Sequence, residues 1–343
     1  MSEVCPGRQK IPAWPFPATE PVPASFAKTF AHSLRCLCRR IALMSGILAT
    51  LGSLVPTTAC AQQMDPRSYA NIPIDMNFLL AGYAYSWGDV VFDPSVPVTN
   101  ADAKVNAVYF GYIRSLDFWG QSGTLGLVVP YASADGQGTV EGQTTSVVRS
   151  GFGDATLRLS MNLYGAPALS LREFRDYRQD FIVGASLLVT APTGRYYQDK
   201  VINIGTNRWS FKPEVGVSKA LGNWILEGAL GVTFYTDNDE FYPGNSVRQQ
   251  DPLYGTQAHV IYNFSPALWG SLDMTYYVGG TTSVNGVPKA DLEQNVRWGA
   301  TLSQALNRNN SIKLYFGTGA IVRAGTKFDT AGIVWQYRWG EGL

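Results

Sequence analysis

Residues 206–238 read TNRWSFKPEVGVSKALGNWILEGALGVTFYTDN. Two alternating segments flank a short turn. In the first, Trp209, Phe211, Val215 and Val217 fall on one side; Ser210, Lys212, Glu214 and Ser218 fall on the other. In the second, Trp224, Leu226, Leu230, Val232 and Phe234 share a side, with Glu227 opposite. A period of two marks strands, not helices. Each strand has an apolar face with an aromatic near its ends and a second face carrying charge. A soluble sandwich buries the apolar face. A membrane barrel turns it to lipid and keeps the polar face inside.

Working outward, the same alternation recurs in about twelve strands, beginning at 74–85, 103–115, 123–132, 151–163 and 180–191. After the 206–238 pair come 251–264, 267–279, 292–306, 311–322 and 328–339. In the first strand Met76, Phe78, Leu80 and Gly82 share a side, opposite Asp75 and Asn77. Connections alternate in length. Short turns fall at 118–122, 221–223, 265–266 and 307–310. Longer Gly/Asp/Asn-rich loops fall at 86–102, 133–150, 192–205, 237–250 and 280–291. The connection 164–179 breaks the rhythm, and 168–177 is expected to form a short amphipathic helix. An even strand number, short periplasmic turns, long external loops and aromatic girdles define outer-membrane barrels. The fold expected is all-β: a transmembrane antiparallel up-and-down β-barrel of about twelve strands.

The N-terminal region supports export. Residues 35–61 read RCLCRRIALMSGILATLGSLVPTTACA: a basic start, an apolar run over 41–55, and Ala59-Cys60-Ala61 in the A-x-A form of a signal-peptidase site. All four cysteines (Cys5, Cys36, Cys38, Cys60) precede residue 62. The expected division is therefore 1–61 as N-terminal extension and secretory signal peptide, and 62–343 as a cysteine-free outer-membrane β-barrel, located in the bacterial outer membrane. Such a chain is stabilised by strand pairing and packing, not by disulfides.

Composition agrees. Charged residues are only 15% and aromatics 13%, with 35 Gly, which suits a β-rich chain with limited aqueous surface. The net charge of +1 and the lack of a basic stripe give no sign of nucleic-acid binding.

The motifs PTGRYYQDKVINIGTNRWSFKPEVG (192–216), Asp251-Pro252 and GTKFDTAGIVWQYRWG (325–340) resemble the transporter family linked to the meta-pathway of phenol degradation. The resemblance is close over about 149–340 and looser over 74–132. It implies an outer-membrane barrel of a Gram-negative bacterium that passes hydrophobic or aromatic compounds, and it transfers no catalytic residues. One departure is the C-terminus, where Gly340-Glu341-Gly342-Leu343 follow Trp339, so the terminal signal read by the barrel-insertion machinery is displaced or carried by Leu343.

Charges facing lipid at mid-membrane cost about 2–4 kcal/mol each. The alternation therefore assigns Asp154, Arg158, Lys212, Glu214, Glu227, His259, Asp273, Arg297, Lys313 and Arg338 to the lumen, with Asp75 and Arg114 beside them. Two roles stay open for this set: a bracing network of opposite charges, or a polar conduit that sets selectivity. Tyr196, Tyr197 and Trp209 are candidates for a pore-mouth loop offering stacking surface to a solute. His259, the one histidine after residue 61, forms a conceivable Ser/His/Asp set with Ser271 and Asp273; a hydrogen-bonded lumen histidine is the competing reading. Asp237, Asp239 and Glu240 read as a solvated loop more readily than as a calcium site. No cofactor, metal or catalytic residue is expected. The partners expected are outer-membrane lipid, a small-molecule solute and the insertion machinery, with no nucleic acid. The function expected is passive uptake of small hydrophobic or aromatic molecules; the alternative is a closed barrel with a structural or surface-interaction role.

Overall fold

A strand in lipid must satisfy every backbone N–H and C=O within the protein, which a sheet achieves only by closing on itself. The computed structural model, which describes residues 64–91, 98–140, 143–200, 202–242 and 244–340, does this with twelve staves. They are β1 (Met76–Val91), β2 (Val98–Phe118), β3 (Gln121–Val140), β4 and β5 together (Gln143–Phe152, Thr156–Tyr164), β6 (Phe181–Thr190), β7 (Ser210–Leu221), β8 (Trp224–Tyr235), β11 (Leu253–Ser265), β12 (Leu268–Gly279), β15 (Glu293–Ala305), β16 (Asn310–Ile321) and β17 (Gly325–Gly340). Neighbours are antiparallel throughout, and pairing of β1 with β17 closes the ring, for example Leu79 opposite Tyr337. The region expected to hold the signal peptide lies outside the described residues.

The opening pair folds as its alternation dictates. Trp209, Phe211, Val215, Val217, Trp224, Leu226, Leu230 and Phe234 are exposed on the outer face. Glu214, Ser218 and Glu227 are buried on the inner one. Rings gather toward the ends of the staves: Trp224 lies 4.6 Å from Tyr262, and Tyr337 lies 5.7 Å from Trp339. Amphipathic rings at these heights suit the lipid headgroup boundary.

Several expectations need correction. The segments 86–102 and 133–150 are largely strand, not loop: β2 runs 21 residues and β3 runs 20. A membrane needs about 9–11 residues per strand. The surplus stands above the membrane as a paired wall with polar residues on both faces, so it lacks the alternation that marks a lipid-facing strand. The stave 151–163 is broken at 153–155, where Gly153 N donates to Pro130 O at 2.8 Å. Proline offers no N–H to continue the ladder on that side.

The helix expected at 168–177 is only a 3-10 turn, Glu173–Arg175. Ser170 N and Oγ both donate to Glu173 Oε2, at 2.9 and 2.7 Å, and Tyr177 Oη donates to Gly165 O at 2.7 Å. These side-chain bonds satisfy the segment without a continued helix.

In β1 the facing is the reverse of the reading. Met76 and Phe78 are buried inside while Leu79 and Tyr83 are exposed outside. Asp75 and Arg114 pair with each other at 3.4 Å and stay exposed at the periplasmic rim instead of entering the lumen. This stave is apolar on both faces, so period two cannot tell in from out. At the rim, headgroup water makes an outward charge tolerable.

Two connections on the extracellular side carry structure the alternation does not announce. β9 (Asn238–Phe241), β10 (Ser246–Gln250), β13 (Thr282–Val284) and β14 (Val287–Pro288) form a separate four-stranded sheet.

Candidate functional site

The lumen is not empty. The residues before β1 enter it, and among them Tyr69 is buried, 2% exposed. Its ring lies flat on two adjacent glycines that face each other in register, Gly184 on β6 and Gly216 on β7. A Cβ at Gly216 would stand 2.1 Å from that ring, and one at Gly184 would stand 2.4 Å away. Glycine is thus required here by close approach, not by a turn. Ile182, Ala229 and Ala166 complete the apolar seat.

The Tyr69 hydroxyl donates to Glu214 Oε1 at 2.9 Å. Glu214 is a hub. Its Oε2 takes Lys212 Nζ at 2.8 Å and Gln257 Nε2 at 3.0 Å, and its Oε1 takes Arg158 Nη2 at 3.4 Å. Arg158 Nη1 reaches back to Asp65 Oδ2 at 2.9 Å. Arg67 N donates to Glu227 Oε2 at 2.7 Å, and Ser218 Oγ donates to Glu227 Oε1 at 3.0 Å. The Arg67 guanidinium lies over Trp269 at 4.6 Å and donates to Asn263 Oδ1. Below, Asn71 Nδ2 donates to Pro167 O at 3.2 Å and Ile74 N to Leu169 O at 2.9 Å, tying the segment to the periplasmic connection. Only a water-sized gap of about 10 Å³ remains between segment and wall, bordered by Asp65, Tyr69, Glu214, Glu227, Gln257 and His259.

Four of the residues assigned to the lumen by alternation (Arg158, Lys212, Glu214, Glu227) therefore converge on the inserted segment or its hub. His259 and Asp273 form a buried pair, Nδ1 to Oδ1 at 2.7 Å. Ser271 Oγ and Thr301 Oγ1 both donate to Asp273 Oδ2 at 3.1 Å. The serine thus bonds the carboxylate and not the imidazole, so the nucleophile–base contact that a Ser/His/Asp set needs is not made. Arg297 is buried and donates to Phe328 O at 3.0 Å. Lys313 is half-buried on the Tyr315 side of β16, away from the exposed Leu314 and Phe316. Arg338 sits at the periplasmic end, where its Nε donates to Arg308 O at 2.6 Å.

Asp154 has a different task from lining. Its Oδ1 accepts Gly194 N at 2.8 Å; its Oδ2 accepts Thr206 N at 2.9 Å and Thr206 Oγ1 at 2.5 Å. One buried carboxylate therefore pins both ends of the long β6–β7 loop. Charge-assisted bonds of this kind are about twice as strong as neutral ones. Within the loop, Tyr196 Oη accepts Asn238 Nδ2 at 3.0 Å and donates to Glu240 O at 3.2 Å, joining the loop to the small extracellular sheet. Tyr197 is capped by the Arg195 guanidinium at 5.1 Å. Trp209 does not belong with them: it is 44% exposed on the outer face and stacks on Phe211 at 6.3 Å. Its odd-numbered parity with Phe211, Val215 and Val217 already carries that answer.

Asp65, Arg67 and Tyr69 are the residues the alternation misses. They belong to no strand, and their one sequence trace is the paired Gly184 and Gly216 that leave room for a ring. Arg208 and Arg248, buried at the extracellular end, are missed for the same reason: both lie in connections. Among the described residues no group of three His, Cys, Asp or Glu side chains is placed to hold a metal ion.

The barrel resembles solved outer-membrane proteins. It is similar to an outer membrane channel from Pseudomonas putida F1, with TM-score 0.68, 21% identity, and coverage of 81% of this chain and 100% of that one. The β domain of the Bordetella autotransporter BrkA is a weaker likeness, at TM-score 0.47 and 11% identity over 78% of this chain and 99% of that one. No curated protein matches the chain in sequence. The family model described as "Putative MetA-pathway of phenol degradation" matches residues 88–337, most of the barrel. The chain belongs to that family, as an outer-membrane β-barrel.

Proposed function

We propose that this barrel is a channel for passive entry of small hydrophobic or aromatic molecules. The observation that carries this reading is the division of the lumen into two unlike ends. On the extracellular side, the loop pinned by Asp154 brings Tyr196 against the small sheet, giving ring surface to an incoming solute. Deeper in the lumen, the path runs along Lys212, Glu214, Glu227 and His259, where the segment around Tyr69 stands in the way. A solute passes when that segment shifts. The energy needed is supplied by the concentration gradient, and neither nucleotide nor cofactor enters the scheme. Cleavage after Ala61 would leave a free chain end close to Asp65, able to withdraw from the lumen without unthreading a loop.

A second reading is favoured by one observation: the same segment is held by many polar bonds and a close glycine seat. On that reading the barrel stays shut and has a structural or surface role. The two separate in planar bilayers and liposomes. Conductance steps from the purified protein, together with liposome swelling in phenyl glucoside (a neutral aromatic that crosses lipid slowly), are the expected result. Silence in both assays with correctly refolded barrel favours the closed role.

A further inference from the structure

Two buried arginines at the extracellular end have no part in the scheme above. Arg208 closes the β6–β7 loop and Arg248 lies on β10; they are 5% and 6% exposed. Burial first, and the Arg248 charge second, pull the Arg208 guanidinium well below the usual arginine range. Two like charges in a dry site call for anions.

The carboxylates that partly offset these charges, Asp154, Asp291 and Glu293, carry other donors as well. Asp154 spends its oxygens on Gly194 and Thr206. Asp291 accepts Thr282 N at 2.9 Å and Thr282 Oγ1 at 2.6 Å. Glu293 accepts Asn295 Nδ2 at 3.4 Å and has further contacts. Arg208 Nη2 donates to Gln250 Oε1, a neutral acceptor, and its guanidinium lies 4.4 Å over the Tyr235 ring. Among the described residues none accepts a hydrogen bond from the buried Arg208 Nη1. A buried donor of a charged group left unmet is costly, so its persistence asks for a partner. Arg248 likewise lies over a ring, Phe241, at 5.7 Å.

We infer that Arg208 is the centre of a carboxylate subsite at the extracellular end of the lumen, which takes the acid group of a small aromatic carboxylate. A guanidinium presents parallel N–H donors that match a carboxylate's two oxygens. Tyr235 and Phe241 back the two guanidiniums, and Tyr196 stands beside them through Asn238. Acid and ring are thus met by neighbouring groups. This rests on the channel reading for its aromatic solute and narrows that solute to an anionic class.

The test is equilibrium dialysis of the refolded full barrel against labelled benzoate, with benzamide as the neutral isostere. Benzoate is expected to be retained, benzamide much less so, and acetate is expected to displace benzoate. Arg208→Gln is expected to weaken benzoate binding by about thirtyfold or more, since truncating one partner of a buried charge pair costs at least about 2 kcal/mol. Arg208→Lys should recover part of the loss. Equal retention of benzoate and benzamide overturns the subsite, as does undiminished binding in a folded Arg208→Gln barrel. Should that variant not fold, competition on the native protein decides: displacement by inorganic phosphate but not by acetate overturns the carboxylate class. Phenyl glucoside swelling, measured alongside, keeps the two ideas apart. Swelling without Arg208-dependent benzoate binding removes the subsite alone; benzoate binding without any swelling removes the channel reading alone.

Discussion

Tyr69 and Glu214 meet inside the barrel at 2.9 Å, the hydroxyl of a residue outside every strand donating to a carboxylate on β7. The contact links the inserted segment to the charge network of the wall. Glu214 accepts from Lys212, Arg158 and Gln257 as well, so the network would survive loss of the tyrosine. The segment would lose its anchor, because the same tyrosine also supplies the ring that fills the seat on Gly184 and Gly216.

Tyr69→Ala is therefore expected to raise the frequency of conductance steps in planar bilayers several-fold while leaving the barrel folded. Gly216→Ala tests the same seat from the wall side. Its methyl would stand 2.1 Å from the Tyr69 ring, and the ring, on a segment outside the barrel ladder, yields before the paired strand does. Both variants should act alike. Conductance unchanged in both would mean that the segment does not govern passage.

Glu214 itself is the stability test. Removing one partner of a buried charge pair leaves the others uncompensated, at about 3–5 kcal/mol. Here Lys212 and Arg158 would both face that loss, although Asp65 still holds Arg158. Glu214→Gln should lower the temperature at which the folded band disappears in a heat-modifiability gel. The double variant Lys212→Ala/Glu214→Ala should recover part of it, since the stranded lysine is gone. Ion selectivity of any conductance in the double variant separates the two roles of the pair. A changed selectivity with unchanged stability belongs to a lining pair, and the reverse belongs to a brace.

The barrel itself was legible because lipid and lumen impose opposite demands on successive residues. Leu226 outside and Glu227 inside are a choice between solvents, repeated along most of the staves. Where that contrast fades, so does the reading. In β1, Met76 and Phe78 are apolar yet face inward, and the outward Leu79 and Tyr83 are no more apolar, so the pattern alone points the parity the wrong way round. In β2 and β3 the upper ends stand clear of lipid, so both faces are polar and the strand reads as loop. Charge had a similar blind spot. Alternation placed Glu214 and Arg158 together on the inner wall, but it carries no information on what fills the space between them. Asp65 and Tyr69 do so from a segment with no period at all. Asp154 reads as one more inner charge, and only three-dimensional contact reveals that its partners are Gly194 and Thr206, 40 and 52 positions away.

That second role of Asp154 gives a further prediction. Asp154→Asn keeps the size but replaces one acceptor oxygen by a donor, which cannot accept from both Thr206 N and Thr206 Oγ1 or from Gly194 N. The β6–β7 loop would lose at least one charge-assisted bond at an end. Limited trypsin digestion of the refolded barrel should then cut faster at Arg195 and Lys200, both on that loop, by about tenfold for about 1.4 kcal/mol of lost closure. Unchanged cutting would mean that the loop's other tethers, such as the Tyr196–Asn238 and Tyr196–Glu240 bonds, suffice to hold it.

His259 supplies the last test, which concerns chemistry. It faces Asp273 directly across the β11–β12 ladder, and their side chains meet at 2.7 Å. The Ser271 hydroxyl points at the same carboxylate instead of the imidazole, so abstraction of a hydroxyl proton by the histidine has no geometry. The pair therefore acts as a clasp between two strands. In His259→Ala, Asp273 keeps Ser271 and Thr301 as donors but loses its strongest neighbour. The expected loss of stability is about 1–3 kcal/mol, read as a lower urea midpoint for unfolding. Phospholipid and lipopolysaccharide profiles of cells producing this variant should match those of cells with the native protein. A hydrolysed lipid species that vanishes in His259→Ala and persists in Tyr69→Ala would instead assign chemistry to the histidine.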